Sequence, residues 1–207
     1  MAKLHFYYSA MNAGKSTVLL RSNYNYKERG MDTIIFAPQV DNRYGVGKIT
    51  SRIGLSAEAI AVGDRFDMYD YVKQELDRNP KLACVLIDEI HFFKKHHIRQ
   101  LTKIVDEMDV PVLAYGLRSD FRGEPFEGSV YMMAYADQII EIKTICHCGK
   151  KATMNMMVNE NGSQVIDGPQ VQIGGNEKYI ATCRAHYAKG ASGMATTTST
   201  AKAKETV

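Results

Sequence analysis

Ala13-Gly14-Lys15-Ser16 places a lysine and a hydroxyl directly after a glycine at a predicted helix start, the combination that holds the phosphate chain of a nucleotide. The lysine would meet the β/γ-phosphates and the Ser16 hydroxyl a Mg²⁺ ion. The helix predicted over Ser16–Arg29 aims its free amides and the positive end of its dipole at the same anion. Leu4–Tyr8, just upstream, reads as a short strand that runs into this loop. The pattern G-x-x-x-x-G-K-[S/T] lacks its first glycine, since Ser9 stands there; a serine fits at a strand-to-loop exit while its φ stays negative. A chance G-K-S at a helix start is the alternative, and the strand before it and the helix after it favour the phosphate loop.

A second pair of reactive groups lies further along. Leu82–Ile87, LACVLI, is an unbroken apolar run of strand length, the pattern of a strand buried on both faces, and it ends in Asp88-Glu89. Acids at the carboxyl end of such a strand face the phosphate loop. The aspartate would then hold Mg²⁺, and the glutamate would orient or deprotonate the attacking oxygen. Many strands simply end in a solvated acidic pair, so it is the conjunction with the phosphate loop that points to phosphoryl transfer.

Cys146-His147-Cys148 and Cys183-Arg184-Ala185-His186 bracket Ala152–Tyr179, which has strand-like runs at Ala152–Val158 and Val171–Ile173. Paired ligands at each base of such an excursion can close a tetrahedral site for Zn²⁺ from Cys146, Cys148, Cys183 and His186, stapling a lobe too small to build its own core. The C-x-C spacing is tighter than usual. Disulfides and plain reduced cysteines are the competing readings, and a cytosolic setting disfavours the former. His147 is left over as a bystander, and Cys84, inside the apolar strand, reads as a small core residue. His5, His96 and His97 have no matching ligand partners and read as satisfied or solvated histidines.

These groups need a scaffold that brings distant segments to one edge. Thr33–Ala37 follows Gly30 as a strand, Asp67–Arg78 reads as a helix stopped by Asn79-Pro80, His96–Met108 has helix-spaced apolar residues, and Val110–Tyr115 is again a strand. The alternation predicts an α/β fold of the P-loop NTPase type over residues 1–143, a mainly parallel sheet flanked by helices. A small zinc-binding lobe is expected over 144–187, and 188–207, small and polar without periodicity, reads as a disordered tail. Gln39–Arg52, with Asp41, Arg43 and two glycines, is either a lid or an ordinary solvated loop. Gly116–Ser129, with Phe121 and Phe126, is either a pocket wall or a loop whose phenylalanines plug the core.

At 207 residues and 45% hydrophobic content, the chain can bury one α/β core with a small appendage. No apolar stretch approaches the ~20 residues of a membrane span, and Leu4–Tyr8 is too short for a signal-peptide core, so a cytoplasmic protein without membrane partners is expected. The formal net charge is +3, much of it in the tail, and a nearly neutral body offers no footprint for nucleic acid.

Taken in order, YYSAMNAGKST, VLIDEIHFF, AYGLRSDFRGEPF, TICHCGKKA, VQIGGNEKY and CRAHY resemble the cytosolic, zinc-containing thymidine kinase family, above all its bacterial and phage members, over residues 3–187. The resemblance implies transfer of the ATP γ-phosphate to the 5′-hydroxyl of thymidine, with deoxyuridine also accepted. It implies a homotetramer and feedback inhibition by thymidine triphosphate, in the salvage of nucleotides for DNA synthesis. Carried over by residue, Ser9, Ala10, Met11, Asn12, Ala13, Gly14, Lys15 and Ser16 wrap the phosphates, with Asp88, Glu89, Ile90 and His91 at the ATP-Mg²⁺ site and Glu89 as the base. Met11, Phe92, Leu117, Phe121 and Phe126 form an apolar slot for the thymine ring, and Asp41 and Arg43 join the substrate site. Gln170, Val171, Gln172, Ile173, Gly174 and Tyr179 fall in a segment resembling the family's lasso over the nucleoside. Its backbone N–H and C=O groups can pair with thymine's alternating edge, and Gly174-Gly175 permits close approach. Many members carry glycine where Ser9 stands and glutamine where His91 stands. The serine occurs in the bacterial branch, whereas His91 changes the group offered to ATP or Mg²⁺.

Two other classes compete. Asp88-Glu89-Ile90-His91 spells the D-E-x-H box of nucleic-acid motors, but the chain is too short for tandem motor domains and lacks the charge. An ATP-responsive zinc module that only binds a partner would leave Glu89 without a task.

Overall fold

The computed structural model describes residues 1–41, 45–170 and 178–193. In chain order it holds β1 (Leu4–Ser9), α1 (Lys15–Glu28), β2 (Asp32–Pro38), a hairpin of β3 (Lys48–Thr50) and β4 (Ser56–Glu58), β5 (Ile60–Val62), α2 (Met68–Arg78) and β6 (Leu82–Ile87). A 3₁₀ turn over Ile90–Phe92 leads to α3 (Lys95–Met108), β7 (Val112–Leu117), α4 (Glu127–Tyr135) and β8 (Gln138–Glu141). Six strands form one sheet in the order β5-β2-β6-β7-β1-β8, and every pairing is parallel.

The apolar runs explain this arrangement. In β6 both alternating sets of side chains are buried, Val85 and Ile87 on one face, Cys84 and Leu86 on the other. The first set meets Val72 of α2, Ile98, Leu101 and Ile104 of α3, and Met132 of α4. The second meets Leu19 and Leu20 of α1, together with Ile49 of the β3–β4 hairpin. Each fully buried Val, Leu or Ile contributes about 1.5–3 kcal/mol, so the strand that carries Asp88 and Glu89 sits where the sheet is hardest to deform. Helix α2 begins where expected: the Asp67 carboxylate accepts from the Asp70 amide at 3.0 Å, and the helix ends before Asn79-Pro80.

Five elements of this part of the chain escaped the sequence reading. Strands β3, β4 and β5 have 3 residues each, too few to show a period. Helix α4 has Gly128 and Ser129, weak helix formers, in its first turn, and β8 is a short edge strand.

The described residues that remain form a small antiparallel lobe. Strands β9 (Thr144–Ile145) and β10 (Lys151–Ala152) make one hairpin, and β11 (Met154–Val158) lies between β12 (Gln164–Val165) and β13 (Tyr179–Thr182), followed by α5 (Arg184–Ala188). The disordered tail predicted from residue 188 does not begin there. Ala188 closes α5, the Ala191 amide donates to the His186 carbonyl at 3.0 Å, and Ser192 is buried. Small side chains are what this packing requires, because a Cβ on Gly193 would collide with the His147 ring. Residues 194–207 of the predicted tail lie outside the described residues, as do Arg43, Val171, Gln172, Ile173, Gly174 and Gly175. Among the described residues no helix is long and apolar enough to cross a membrane.

Candidate active site

After Ser9 the chain turns through Ala10–Ala13 into α1, with Asn12 at φ 63° and Gly14 at φ 80°. A Cβ on Gly14 would meet nothing within 4 Å, so the glycine is demanded by its left-handed backbone and not by space. The Ser9 hydroxyl, where the motif usually has glycine, donates to the Ala10 carbonyl at 2.8 Å and is buried. Lys15 is buried as well. The Ser16 hydroxyl donates to Asp88 Oδ2 at 3.2 Å, joining the loop to the end of β6 across the intervening strand β7.

Asp88 is 5% exposed. Burial first, then the neighbouring Glu89 charge, pushes its carboxyl well above the usual carboxylate range; Lys15, the Glu89 amide and the Ser16 hydroxyl pull the other way. Such a carboxyl gains most when a cation lies beside it. Glu89 adopts φ 45°, ψ 44°. A non-glycine residue in that region costs of order 1–3 kcal/mol, and such strain collects at functional sites. Its Oε2 lies 3.5 Å from His91 Nδ1, yet that nitrogen accepts the Leu117 amide at 3.2 Å. A ring nitrogen that accepts carries no proton in the neutral imidazole, so the contact with Glu89 is not an ion pair in that form. The turn bearing Glu89 and His91 is clamped by two glycines. A Cβ on Gly116 would come within 2.7 Å of the Ile90 side chain, and one on Gly128 would overlap the carbonyls of Ile90, Phe93 and His91.

A cleft of about 280 Å³ gathers Met11, Asn12, Gly14, Lys15, Ser16, Glu89 and Leu117 from the predicted set. A narrower crevice beside it brings Asp41 to Ser16, Asp88 and Glu89. Phe121 and Phe126 are nearly fully buried and do not line the cleft. Phe126 instead supports His91 and Phe92, with ring centroids 4.6 and 5.8 Å apart, and Phe121 meets the Tyr179 ring at 6.3 Å. Phe92 also borders a second cavity of about 370 Å³, with Val62 and His97. Gln170 Nε2 donates to Asp120 Oδ2 at 3.2 Å, and the Tyr179 carbonyl accepts from Asn12 Nδ2 at 3.4 Å.

Sequence reasoning missed two contributors. Thr50, Ser51, Arg52 and Ile53 form a wall of the cleft, where the sequence offers Gln39–Arg52 only as a lid or an ordinary solvated loop. Asn155, 2% exposed on β11, accepts the Met11 amide at 2.7 Å and donates to the Ser119 carbonyl at 2.7 Å. A lone carboxamide in the apolar run MNMMV was the signal that could have found it.

At the base of the lobe, one ligand atom each from Cys146, Cys148, Cys183 and His186 lies within 4.8 Å of the others. Cys146 Sγ is 3.3 Å and Cys183 Sγ 3.5 Å from His186 Nδ1, with 4.0 Å between the sulfurs of Cys148 and Cys183. A zinc tetrahedron with Zn–S of about 2.3 Å and Zn–N of about 2.0 Å has edges of roughly 3.5–3.8 Å, so this Cys₃His cluster could hold Zn²⁺. Burial alone would raise the Cys146 thiol, but the amides of Cys148 and Cys183 and the His186 ring outweigh it and bring it down to about 6. His147 stacks on His186 at 4.3 Å outside the ligand set. Cys84 is a core residue whose thiol is pushed up to about 12 by burial.

A parallel six-stranded sheet with a Gly-Lys-Ser helix start facing an Asp-Glu pair defines the class: an α/β nucleotide-binding domain with the groups for phosphoryl transfer. The family profile described as thymidine kinase matches residues 2–187. A thymidine kinase of Legionella pneumophila (strain Lens) is 58% identical over 193 residues, covering 93% of this chain and 92% of that protein. One of Coxiella burnetii is 56% identical over 190 residues, 92% and 97% of the two chains, and one of Aliivibrio fischeri is 55% identical over 187, or 90% and 97%. The chain belongs to the thymidine kinase family.

Proposed function

We propose that this enzyme transfers the γ-phosphate of ATP to the 5′-hydroxyl of thymidine. The observation that carries the reading is the meeting of Lys15, Ser16 and Glu89 in one cleft, with Asp88 bound to Ser16 at its edge. Lys15 and the amides at the start of α1 hold the phosphates. Ser16 and Asp88, an all-oxygen donor set, would hold Mg²⁺, which would supply neutralisation of the phosphate charge. Glu89 takes the proton of the 5′-hydroxyl as that oxygen bonds to the γ-phosphorus. The bond to the β–γ bridging oxygen breaks, and ADP leaves. Met11 and Leu117 face the nucleoside, while Phe126 supports His91 and Phe92, and Phe121 packs against Tyr179. Asp41, beside Ser16, Gln170 and Tyr179 complete the substrate side.

The same proposal places a structural Zn²⁺ on Cys146, Cys148, Cys183 and His186. The family resemblance adds thymidine triphosphate as feedback inhibitor, a homotetramer as the assembly and the cytoplasm as the working compartment, and light scattering of the purified enzyme checks the assembly.

The deciding experiment is transfer of labelled γ-phosphate from ATP-Mg²⁺ to a nucleoside panel. Thymidine and deoxyuridine are expected to react. Deoxycytidine is rejected by roughly 10⁴-fold in kcat/KM, as a site that reads a base edge by hydrogen bonds rejects a reversed donor-acceptor order. Purine nucleosides fail on size. Efficient use of deoxycytidine, or stimulation of ATP turnover by polynucleotide alone, would refute the proposal.

A further inference from the structure

One wall of the phosphate cleft is the tip of the β3–β4 hairpin. Strands β3 and β4 pair from Lys48↔Glu58 to Thr50↔Ser56, and Ile49 anchors them in the core beneath α1. The turn between them is tied at three points. The Ser51 amide donates to the Leu55 carbonyl at 2.7 Å, the Gly54 amide to the Ser51 carbonyl at 3.1 Å, and the Leu55 amide to the Ser51 hydroxyl at 3.1 Å. Ser51 is buried while Arg52 is exposed, so the turn presents the arginine at a fixed place. There Arg52 Nη2 donates to Asn12 Oδ1 at 2.5 Å. The hairpin thereby puts a guanidinium against the phosphate loop, in the same cleft as Lys15, Ser16 and Glu89.

We propose that Arg52 is a catalytic residue that binds the transferring phosphoryl group. Among the described residues lining the cleft, Lys15 and Arg52 are the cations. A triphosphate carries more negative charge than Mg²⁺ and one lysine offset, and Glu89 adds another. A guanidinium has five N–H donors, of which Asn12 takes one, and its planar fork matches two phosphate oxygens. As the 5′-oxygen bonds to the γ-phosphorus and the bond to the bridging oxygen breaks, with the hydroxyl proton on Glu89 and ADP leaving, charge shifts onto the oxygens such a fork spans. An arginine acting in this way from its own chain contributes most in the transition state. The proposal rests on Lys15 and Ser16 holding the phosphates.

The test compares Arg52→Ala and Arg52→Lys with the unaltered enzyme, using ATP-Mg²⁺ and thymidine. Arg99→Ala, at an exposed position on α3, controls for lost positive charge. Arg52→Ala is expected to lower kcat about 10²–10⁴-fold, while the Kd of ATP moves less than about tenfold. The complex with ADP, aluminium fluoride and thymidine, which imitates the phosphoryl group in flight, should lose more affinity than ATP does. Arg52→Lys should stay at least about tenfold below the unaltered enzyme, because an ammonium lacks the fork. A kcat for Arg52→Ala within about threefold of normal overturns the proposal. So does a loss confined to ATP affinity, or an equal loss in Arg99→Ala. Lys15→Ala separates the two levels of inference: if it too turns over normally, the phosphate-loop reading has failed, whereas an impaired Lys15→Ala beside a normal Arg52→Ala fails Arg52 alone. Circular dichroism and the urea midpoint confirm that each variant is folded, and Arg52→Gln, which keeps a polar tip, replaces Arg52→Ala should the latter not fold.

Discussion

Asn155→Leu removes the carboxamide that ties the small lobe to the phosphate loop while keeping its approximate volume. Asn155 accepts from the Met11 amide and donates to the Ser119 carbonyl, both at 2.7 Å, and it is 2% exposed. In the variant both backbone groups face a methyl group, and each unsatisfied buried group costs about 1–3 kcal/mol. Relief by water or by shifts of the loop reduces the sum, so a loss of roughly 2–4 kcal/mol in unfolding free energy is expected. The kinetic effect is separable from this. Met11 and Asn12 line the cleft, and Ser119 lies two residues beyond Leu117, which ends β7 and lines the same cleft, so the loop and the nucleoside wall lose their common reference. A misplacement of the order of 1 Å between reacting groups costs about 10²-fold, and kcat should fall by that much while zinc content stays unchanged. Met156→Ala, on the same strand and fully buried, lowers stability by a comparable amount but leaves both Asn155 bonds in place. Urea unfolding and steady-state rates in both substrates are measured for the two variants side by side. Equal kcat losses in Asn155→Leu and Met156→Ala, or normal kcat in a folded Asn155→Leu, would refute the reasoning.

Three further outcomes follow from the same geometry. Glu89→Gln keeps ATP binding and lowers kcat about 10²–10⁴-fold, the contribution of a positioned base; near-normal turnover would assign the proton to another group. Cys183→Ser is expected to lose zinc and to speed amide exchange across β11 and β13, with β6 still protected, because metal binding there is local folding energy; unchanged protection of β11 and β13 sinks that idea. His97 is 3% exposed, and burial, then the His96 charge, lowers its pKa from 6.5 to about 4. The neutral ring's contribution is therefore complete above pH 6.5 and is lost as pH falls toward 4, by roughly 2 kcal/mol at pH 5. His97→Gln should flatten the stability curve between pH 6.5 and 5, and parallel curves for the two proteins would rule this out.

The parts of the fold that were legible in the sequence are those with a strong local rule. LACVLI reads as a strand buried on both faces, and Asp67 before a periodic run with Asn79-Pro80 after it reads as the frame of a helix, and both are found. Lys15, Ser16, Asp88 and Glu89 were legible because phosphate chemistry fixes their types and their places at strand ends. The two phenylalanines were not. Phe121 and Phe126 were equally suited to a wall or a plug, and only the tertiary packing puts them nearly out of solvent, behind Tyr179 and beneath His91. Arg52 and Asn155 were hidden for a different reason. Each acts across 40 or 144 positions of chain, on Asn12 and Met11 respectively, and no local pattern encodes a partner so distant.

The phosphate loop also shows why elements without catalytic groups matter to this cleft. Two of its residues, Asn12 and Gly14, have left-handed backbones, and a loop of that kind makes few regular hydrogen bonds of its own. Its order must come from outside. Ser16 ties it to β6 through Asp88, Asn155 ties it to β11, Tyr179 ties it to β13, and Arg52 ties it to the β3–β4 hairpin. Two of those four ties come from the small lobe, whose strands have no large core and meet at the Cys₃His cluster. A metal at that cluster would therefore act on catalysis without approaching the nucleotide, by fixing the strands that fix Met11 and Asn12. On this argument a zinc-site variant and Asn155→Leu disturb one and the same linkage. Their combined effect on kcat should be smaller than the product of the separate effects, as expected for groups that share a network. A fully multiplicative double variant would mean that the lobe and the carboxamide act independently.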